Sequence, residues 1–432
     1  MRLLIIGGGP GGYETALEAV ECGFEVTLIT EGPLGGTCLN EGCIPTKTLC
    51  HYAELIERNR RAGLDVKPDL TQAMTRKQAV VEQLRGGVEM LLKKVQVIYG
   101  KARFKDPCTV ICNDTEYSAD KIIIAAGSVS GSLPVPGAGS CLTSKEMLEL
   151  TDLPKSLCVI GGGVIGLEFA SIFRSFGCEV TVLEFCPNIL PRFDSDLAKR
   201  LRQTLSKRGI NIEVQAEVTG INDGRVTYIK KEKEFTVSAD KVLMAVGRLP
   251  NVEGLNLEAA GVKYTRHGIT VNGKFETSAP DILAIGDVTG GTMLAHAAIF
   301  QGCRALNAIC GKFDNIRFDL IPAAVFTMPE VASVGLTEEQ CKERGLQVRC
   351  LKSFYRANGK AVSMDETDGY CKLIVGEDGT IEGAHIMGAH ASDLIHEFVT
   401  AMNVGATLED MKAVIHAHPT LSEVLQSAIH SS

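Results

Sequence analysis

"RLLIIGGGPGGYETALEAVECGFEVTLITE", residues 2–31, decides how the chain begins to fold. An apolar run enters a turn in which Gly7, Gly9 and Gly12 stand in G-x-G-x-x-G spacing. A helical pattern follows through Ala16, Leu17, Ala19 and Val20, and "EVTLIT" reads as a second strand that ends on Glu31. Each glycine has its own physical task. The first permits a tight turn, the second lets the backbone approach a pyrophosphate, and the third allows close helix–strand packing. The helix N-terminus offers unpaired N–H groups and its positive dipole end to phosphates. Glu31, 19 residues beyond Gly12, is placed to accept hydrogen bonds from ribose hydroxyls.

The unit then recurs. "SLCVIGGGVIGLEFASIFRSFGCEVTVLE", residues 156–184, sets Gly161, Gly163 and Gly166 after a strand, with Glu184 closing the next one. Two such units imply two dinucleotides and an α/β chain with two Rossmann-like domains. Glu184 suits a free ribose 2′-hydroxyl and repels a 2′-phosphate. No basic residue follows it until Arg192, which favours NAD over NADP. "SADKIIIAAGS" (118–128) and "SADKVLMAVGR" (238–248) echo one another and predict that both units finish with the same buried strand. "DILAIGD" ends another strand on Asp287, where α/β sheets bind ligands, although Asp287 also suits a turn cap.

The last hundred residues carry no such fingerprint, and alternating strands with following helical patterns predict an α+β domain suited to oligomerisation. The expected divisions are 1–127, first nucleotide domain; 128–247, second nucleotide domain; 248–320, a return to the first; and 321–432, the interface domain. A net charge of −8 without a basic run excludes a nucleic-acid footprint. The apolar runs are far shorter than a membrane span, and "MRLLIIGGGP" reads as a first strand rather than a signal peptide.

Fifteen cysteines, most of them inside apolar patterns, read as small buried hydrophobes in a reducing cytoplasm. "GGTCLNEGCIPTK", residues 35–47, differs: Cys38 and Cys43 lie among glycines and ahead of Pro45 and Lys47. Three readings compete. Zinc would recruit Cys50 and His51, but these are adjacent positions on a predicted helix, and structural zinc sites use two separated short-spaced pairs. A passive staple across so short a loop adds little stability. A redox pair needs one accessible thiolate with a second sulfur in reach, and Lys47 or the helix near it would lower a thiol pKa. Acid–base help is offered by "HAHPTLSE" (416–423), where His418 precedes Glu423 and His416 competes.

In order and spacing, "GGGPGG", "GGTCLNEGCIPTK", "GGGVIGLE", "AIGD" and "HPTLSE" resemble the pyridine nucleotide-disulfide oxidoreductase family across essentially the whole chain. The nearest likeness is to members that oxidise protein-bound dihydrolipoamide to lipoamide. The resemblance implies FAD held by Gly7, Gly9, Gly12, Glu31, Thr37, Lys47, Gly127 and Asp287. It implies NAD on Gly161, Gly163, Gly166, Glu184 and Gly247, and Glu168 as the acid that pairs with Lys47. It makes Cys38–Cys43 a redox-active disulfide, with Cys38 meeting substrate and Cys43 facing the flavin. His418 and Glu423 become an acid–base dyad acting across a homodimer, and the partner a lipoyl-bearing protein of a 2-oxoacid dehydrogenase or glycine-cleavage complex. The chain departs from the family pattern in its compact connections and in Ala126, where threonine is usual. A glutathione-reductase-like enzyme, which usually prefers NADP and carries tyrosine where this chain has Val164, and an NADH diaphorase or oxidase, which usually lacks the cysteine pair, are the rivals. The C-terminal "AIHSS" lacks the cysteine pair of mercuric reductases, and no lipoyl-carrying segment is read ahead of the first strand.

Overall fold

Strand β1 (Arg2–Ile6) alternates its side chains between two cores, and that alternation organises the first half of the molecule. Leu3 and Ile5 pack with Ala16 and Ala19 on one face, while Leu4 and Ile6 pack with Phe104 and Val110 on the other. A parallel sheet covered on both faces requires such an uninterrupted apolar strand. The computed structural model describes residues 1–431, which form two compact units.

The first unit comprises residues 1–48, 72–131 and 247–316. Its parallel sheet runs in the order Ile282–Ala284, Lys121–Ile124, β1, β2 (Glu25–Thr30), Gln96–Tyr99. Helix α1 (Pro10–Glu21) packs beside helix Ala295–Ile309. An antiparallel meander between Arg103 and Ser118 covers the sheet.

The second unit comprises residues 49–71, 132–246 and 317–431. Its parallel sheet is ordered Ile210–Val214, Glu179–Glu184, Ser156–Ile160, Lys241–Met244. The strands of the two "SADK" phrases each lie directly beside the first strand of their own sheet. The C-terminal part is a five-stranded antiparallel sheet, ordered Ala323–Val325, Val331–Gly335, Ile381–Met387, Tyr370–Gly376, Val348–Phe354, with helices Ala391–Val404 and Ser422–Ile429 against it. Phe398, Ile395 and Leu425 fill its core.

The structure groups the second nucleotide segment with the C-terminal sheet, whereas the sequence divisions set them apart as 128–247 and 321–432. Lys372 supplies a physical reason. Its side chain is fully buried, and Nζ lies 2.8 Å from Asp194 and from Glu338 and 3.3 Å from Asp196. Asp194 also caps helix Ser195–Lys207 by accepting from the N–H groups of Asp196 and Leu197. A buried ammonium without such carboxylates is strongly disfavoured, so strand and helix are held as one body.

Candidate active site

The cysteine segment is built directly onto the first dinucleotide turn. Gly35 N donates to Gly8 O at 2.8 Å. Gly36, at φ +57°, lies so close to Gly9 that a Cβ on it would stand 2.6 Å from the Gly9 Cα. Helix α2 (Gly36–Glu41) then carries Cys38, and helix α3 (Cys43–Arg61) opens on Cys43. Gly42 separates them at φ −144° and ψ −110°, with no room for a Cβ against Thr37 O at 2.9 Å. Asn40 donates to Leu34 O and Gly36 O and accepts from Arg85, which clamps the loop.

The two sulfurs are brought together and are unequal. Cys38 is partly buried and Cys43 exposed. The Cys38 thiol is pushed up, first by the hydrogen bond shared with Cys43 and then by burial, while Lys47 pulls it down. Tyr13 on α1 is raised to about 12, by burial first and with a smaller push from Cys38. The helix begins at Cys43 itself, four residues earlier than the sequence suggests, so Cys43 sits at the positive end of α3. Cys50 turns away and contacts Phe326 O at 3.4 Å.

Whether a dinucleotide fits can be read from the glycines. A Cβ on Gly7 would lie 2.1 Å from Ala125 O, and one on Gly12 would lie 1.8 Å from Gly7 O. The protein's own packing therefore excludes side chains at both. On Gly9 the nearest atom would be 4.0 Å away, so that position faces space the protein leaves open. The second turn repeats the pattern: Gly161 meets Ala245 O at 2.3 Å, Gly166 meets Gly161 O at 2.0 Å, and Gly163 meets nothing within 4 Å. The following helices start at Gly9 and Gly163 with no side-chain cap. Both turns thus keep an uncapped helix end and a bare middle glycine, as a pyrophosphate requires. Gly127 (φ +74°) and Gly247 (φ +110°) close their strands and also meet nothing within 4 Å.

Strand register revises the expectation for Glu31. Gly7 N bonds to Ile29 O, and Gly161 N bonds to Leu183 O, so the residue matching Glu184 is Thr30. The side chains agree: Gly8 backs onto Thr30 Oγ1, and Gly162 onto Glu184 Oε2. Glu184 is buried, accepting from Gly162 N and Cys186 N at 2.6 Å each. Glu31 lies one residue further, 62% exposed, and pairs with Lys101 at 3.2 Å. Counting from the last glycine hides this single-residue offset, which on a strand reverses the face.

Asp287 does two jobs. Its backbone closes the short turn at Gly290, and its carboxylate accepts from Ser128. Arg248 donates to Ser128 Oγ at 2.7 Å and to Ser128 O at 2.6 Å. Ser128 and Arg248 end the two "SADK" phrases, and their strands pair antiparallel. The phrases were legible as an echo; their meeting at Asp287 was not. Gln301 holds Gly286 N at 2.6 Å beneath it. Thr37 is exposed on α2 beside Cys38.

In the second unit His418 Nδ1 lies 2.9 Å from Glu423 Oε1, and the ring is 79% exposed. Glu423 is held below its ordinary value, first by Thr420 N and then by His418. His416 is the buried competitor, its ring 5% exposed and bound to Glu397 at 2.9 Å. Glu168 is buried on helix Val164–Ser175 and accepts from Phe326 N at 3.0 Å.

Residues 1–302 match the pyridine nucleotide-disulphide oxidoreductase family, and residues 321–429 match that family's dimerisation domain. The chain belongs to this family. Curated relatives include a dihydrolipoyl dehydrogenase of Geobacillus stearothermophilus, 41% identical over 98% of this chain and 94% of that protein. The mitochondrial dihydrolipoyl dehydrogenase of Pisum sativum is 39% identical over 99% of this chain and 90% of that protein. Among solved structures, the HOCl-induced flavoprotein disulfide reductase RclA from Escherichia coli is 31% identical with a TM-score of 0.90, covering 99% of each chain. As a member of the pyridine nucleotide-disulphide oxidoreductases, the chain is a flavin-dependent disulfide oxidoreductase that uses FAD and NAD.

Proposed function

We propose that the chain is an NAD-linked dihydrolipoamide dehydrogenase acting as a homodimer. The observation that carries the reading is the hydrogen-bonded Cys38–Cys43 pair pinned onto the first dinucleotide turn. The Gly7–Gly12 turn, Gly127, Thr37, Lys47 and Asp287 would hold FAD, and the Gly161–Gly166 turn, Glu184 and Gly247 would hold NAD. When bound, FAD supplies a two-electron relay between a dithiol and a nicotinamide.

The residues' own chemistry balances. One thiolate of a dihydrolipoyl group attacks Cys38 of the Cys38–Cys43 disulfide, so the S–S bond breaks and Cys43 leaves as thiolate at the α3 N-terminus. The second dihydrolipoyl sulfur then displaces Cys38, closing the lipoyl disulfide and leaving both cysteines reduced. His418 accepts the proton released from the dithiol, and Glu423 orients the ring through Nδ1. Exposure of His418 suits action on the cysteine pair of a second copy of the chain. Ile415, 94% exposed, and Val414 border it and suit the same contact. A lipoyl-bearing protein of a 2-oxoacid dehydrogenase or glycine-cleavage complex is the partner, and a reducing cytoplasm suits fifteen thiols. Among the described residues no helix is long and apolar enough to cross a membrane.

The test assays the purified protein and Cys43→Ala with NADH or NADPH against lipoamide or oxidised glutathione. NADH with lipoamide should dominate, and the variant should lose disulfide reduction by about a thousandfold or more while retaining FAD. Preference for NADPH and glutathione would overturn the substrate assignment, and an active variant would overturn the dithiol relay.

A further inference from the structure

A second pair of thiols stands outside the site. Cys22 ends α1 and Cys310 ends helix Ala295–Ile309; both are exposed. These helices run parallel and unusually close. A Cβ on Gly11 would lie 3.1 Å from the Ala298 Cβ, and one turn on, a Cβ on Gly302 would lie 1.9 Å from Thr15 Oγ1. Glycine at a crossing lets the backbones approach more closely than the usual 8–10 Å between helix axes. One step further, the Glu18 carboxyl neighbours Cys303, and the series ends with Cys22 beside Cys310. The contact is therefore the last rung of a continuous seam, not a chance meeting of two surface side chains.

Neither sulfur belongs to the Cys38–Cys43 relay, and the two lie at the helix ends opposite the dinucleotide turn. Their placement has a mechanical consequence. The N-terminus of α1 is the Gly9 end of the first fingerprint, and the partner helix carries Gln301, which holds Gly286 beside Asp287. A covalent tie at the far ends fixes the two helices that shape the flavin cradle.

We propose that Cys22 and Cys310 form a reversible redox clamp, closed by a small-molecule disulfide such as oxidised glutathione. The thiolate of Cys22 attacks one sulfur of the disulfide, breaking its S–S bond and releasing one thiol. Cys310, as thiolate, then displaces the second thiol to close Cys22–Cys310. Two protein thiols are oxidised, one external disulfide is reduced to two thiols, and the two protons lost by the cysteines are taken up by the released thiolates. Burial, then the charge of Cys22, push the Cys310 thiol up against a smaller pull down from Lys312, so closure requires sustained oxidising conditions. Cys303, pushed up to about 12 by burial first and then by the neighbouring Glu18, lies on the same seam and should stay reduced. The inference does not rest on lipoamide being the substrate.

The test incubates FAD-loaded protein with oxidised glutathione, alkylates the remaining thiols, and maps peptides without reduction. Wild type, Cys22→Ser, Cys310→Ser and Cys303→Ser are compared. The expected result is a linked peptide joining Cys22 to Cys310 in wild type and Cys303→Ser only, dissolved by dithiothreitol. The temperature at which FAD fluorescence is released should rise by roughly 3–8 °C on oxidation in those two proteins and not in the other two. Independent glutathionylation of Cys22 and Cys310 without a link would overturn the clamp. A link that leaves FAD release unchanged would overturn its action on the cradle.

Discussion

The two dinucleotide turns solve the same problem with nearly the same backbone and finish it differently. In each, the first and third glycines are imposed by carbonyl oxygens of the protein, and the middle one faces open space. They part at the end of the next strand. There the second turn has Glu184, buried and gripped by two backbone N–H groups, whereas the first has Thr30, with Glu31 swung out beside Lys101. The difference separates scaffold from selection. Carbonyls that crowd a glycine fix the turn whatever binds, while the strand-end side chain decides which ribose is favoured. On the proposed function, the held carboxylate of the second turn would distinguish a nicotinamide cofactor that comes and goes from its phosphorylated relative. The first turn instead serves as the floor on which the cysteine loop is laid.

The glycines give the sharpest way to break this comparison. Gly12→Ala and Gly166→Ala place a methyl 1.8 and 2.0 Å from backbone oxygens that cannot retreat without moving β1 or its counterpart. Each should cost about 3 kcal/mol or more and depress soluble yield. Gly163→Ala, meeting nothing within 4 Å, should fold normally yet raise the KM for NADH by about tenfold, because its methyl enters the space a pyrophosphate needs. Chemical denaturation and steady-state kinetics read the two effects. Equal destabilisation by Gly163→Ala and Gly166→Ala would erase the distinction between packing and cradle.

Glu184 comes next in size. Glu184→Ala orphans the N–H groups of Gly162 and Cys186, at a cost of about 1–3 kcal/mol. Glu184→Gln keeps an acceptor oxygen and should be close to wild type in stability. Both should narrow the preference for NADH over NADPH, by about tenfold, since the charge that repels a 2′-phosphate is gone. Equal loss of stability in the two variants would show that charge, not backbone pinning, is what the strand end requires.

Glu423 is another carboxylate held by a backbone N–H, this time half-buried. Its value is depressed below an ordinary 4.5, by Thr420 N first and His418 second. A depressed acid contributes its interaction above its unfolded value and loses it as pH falls through the folded one, so the His418–Glu423 contact should be complete above about pH 4.5 and be lost only as the pH falls further, through the lower folded value. Glu423→Gln should slow lipoamide turnover by about tenfold and shift its pH profile, with NADH oxidation by an artificial electron acceptor unchanged. An unchanged profile would make Glu423 a mere cap for Thr420.

Much of this was written in the sequence because glycine and strand patterns answer to local sterics. The two fingerprints, the cysteine loop, and His418 with Glu423 five residues on all rest on short-range spacing. What escaped depends on tertiary register. Ser128 and Arg248 lie 120 residues apart and meet only because two short strands pair, so no local pattern announces their grip on Asp287. The buried Lys372 looks like any strand lysine until Asp194, Asp196 and Glu338 arrive from distant segments. The spacing places the helix start near Lys47, whereas Gly42 sets the break and the helix begins at Cys43.

Glu31 supplies the smallest effect and the most direct test of register. It and Lys101 are 62% and 80% exposed, and an ion pair so open to water contributes about 0–1 kcal/mol. If the strand end is read correctly, Glu31→Gln should change the rate of FAD loss by less than twofold. Thr30→Glu, which sets a carboxylate where Glu184 stands in the other turn, should change it by more, because Thr30 is buried against Gly8 whereas Glu31 is not. FAD release on dilution, followed by fluorescence, measures both. A large loss in Glu31→Gln with none in Thr30→Glu would restore Glu31 to the ribose and show that the first turn, ending one residue later, reaches its cofactor from the opposite face of the strand.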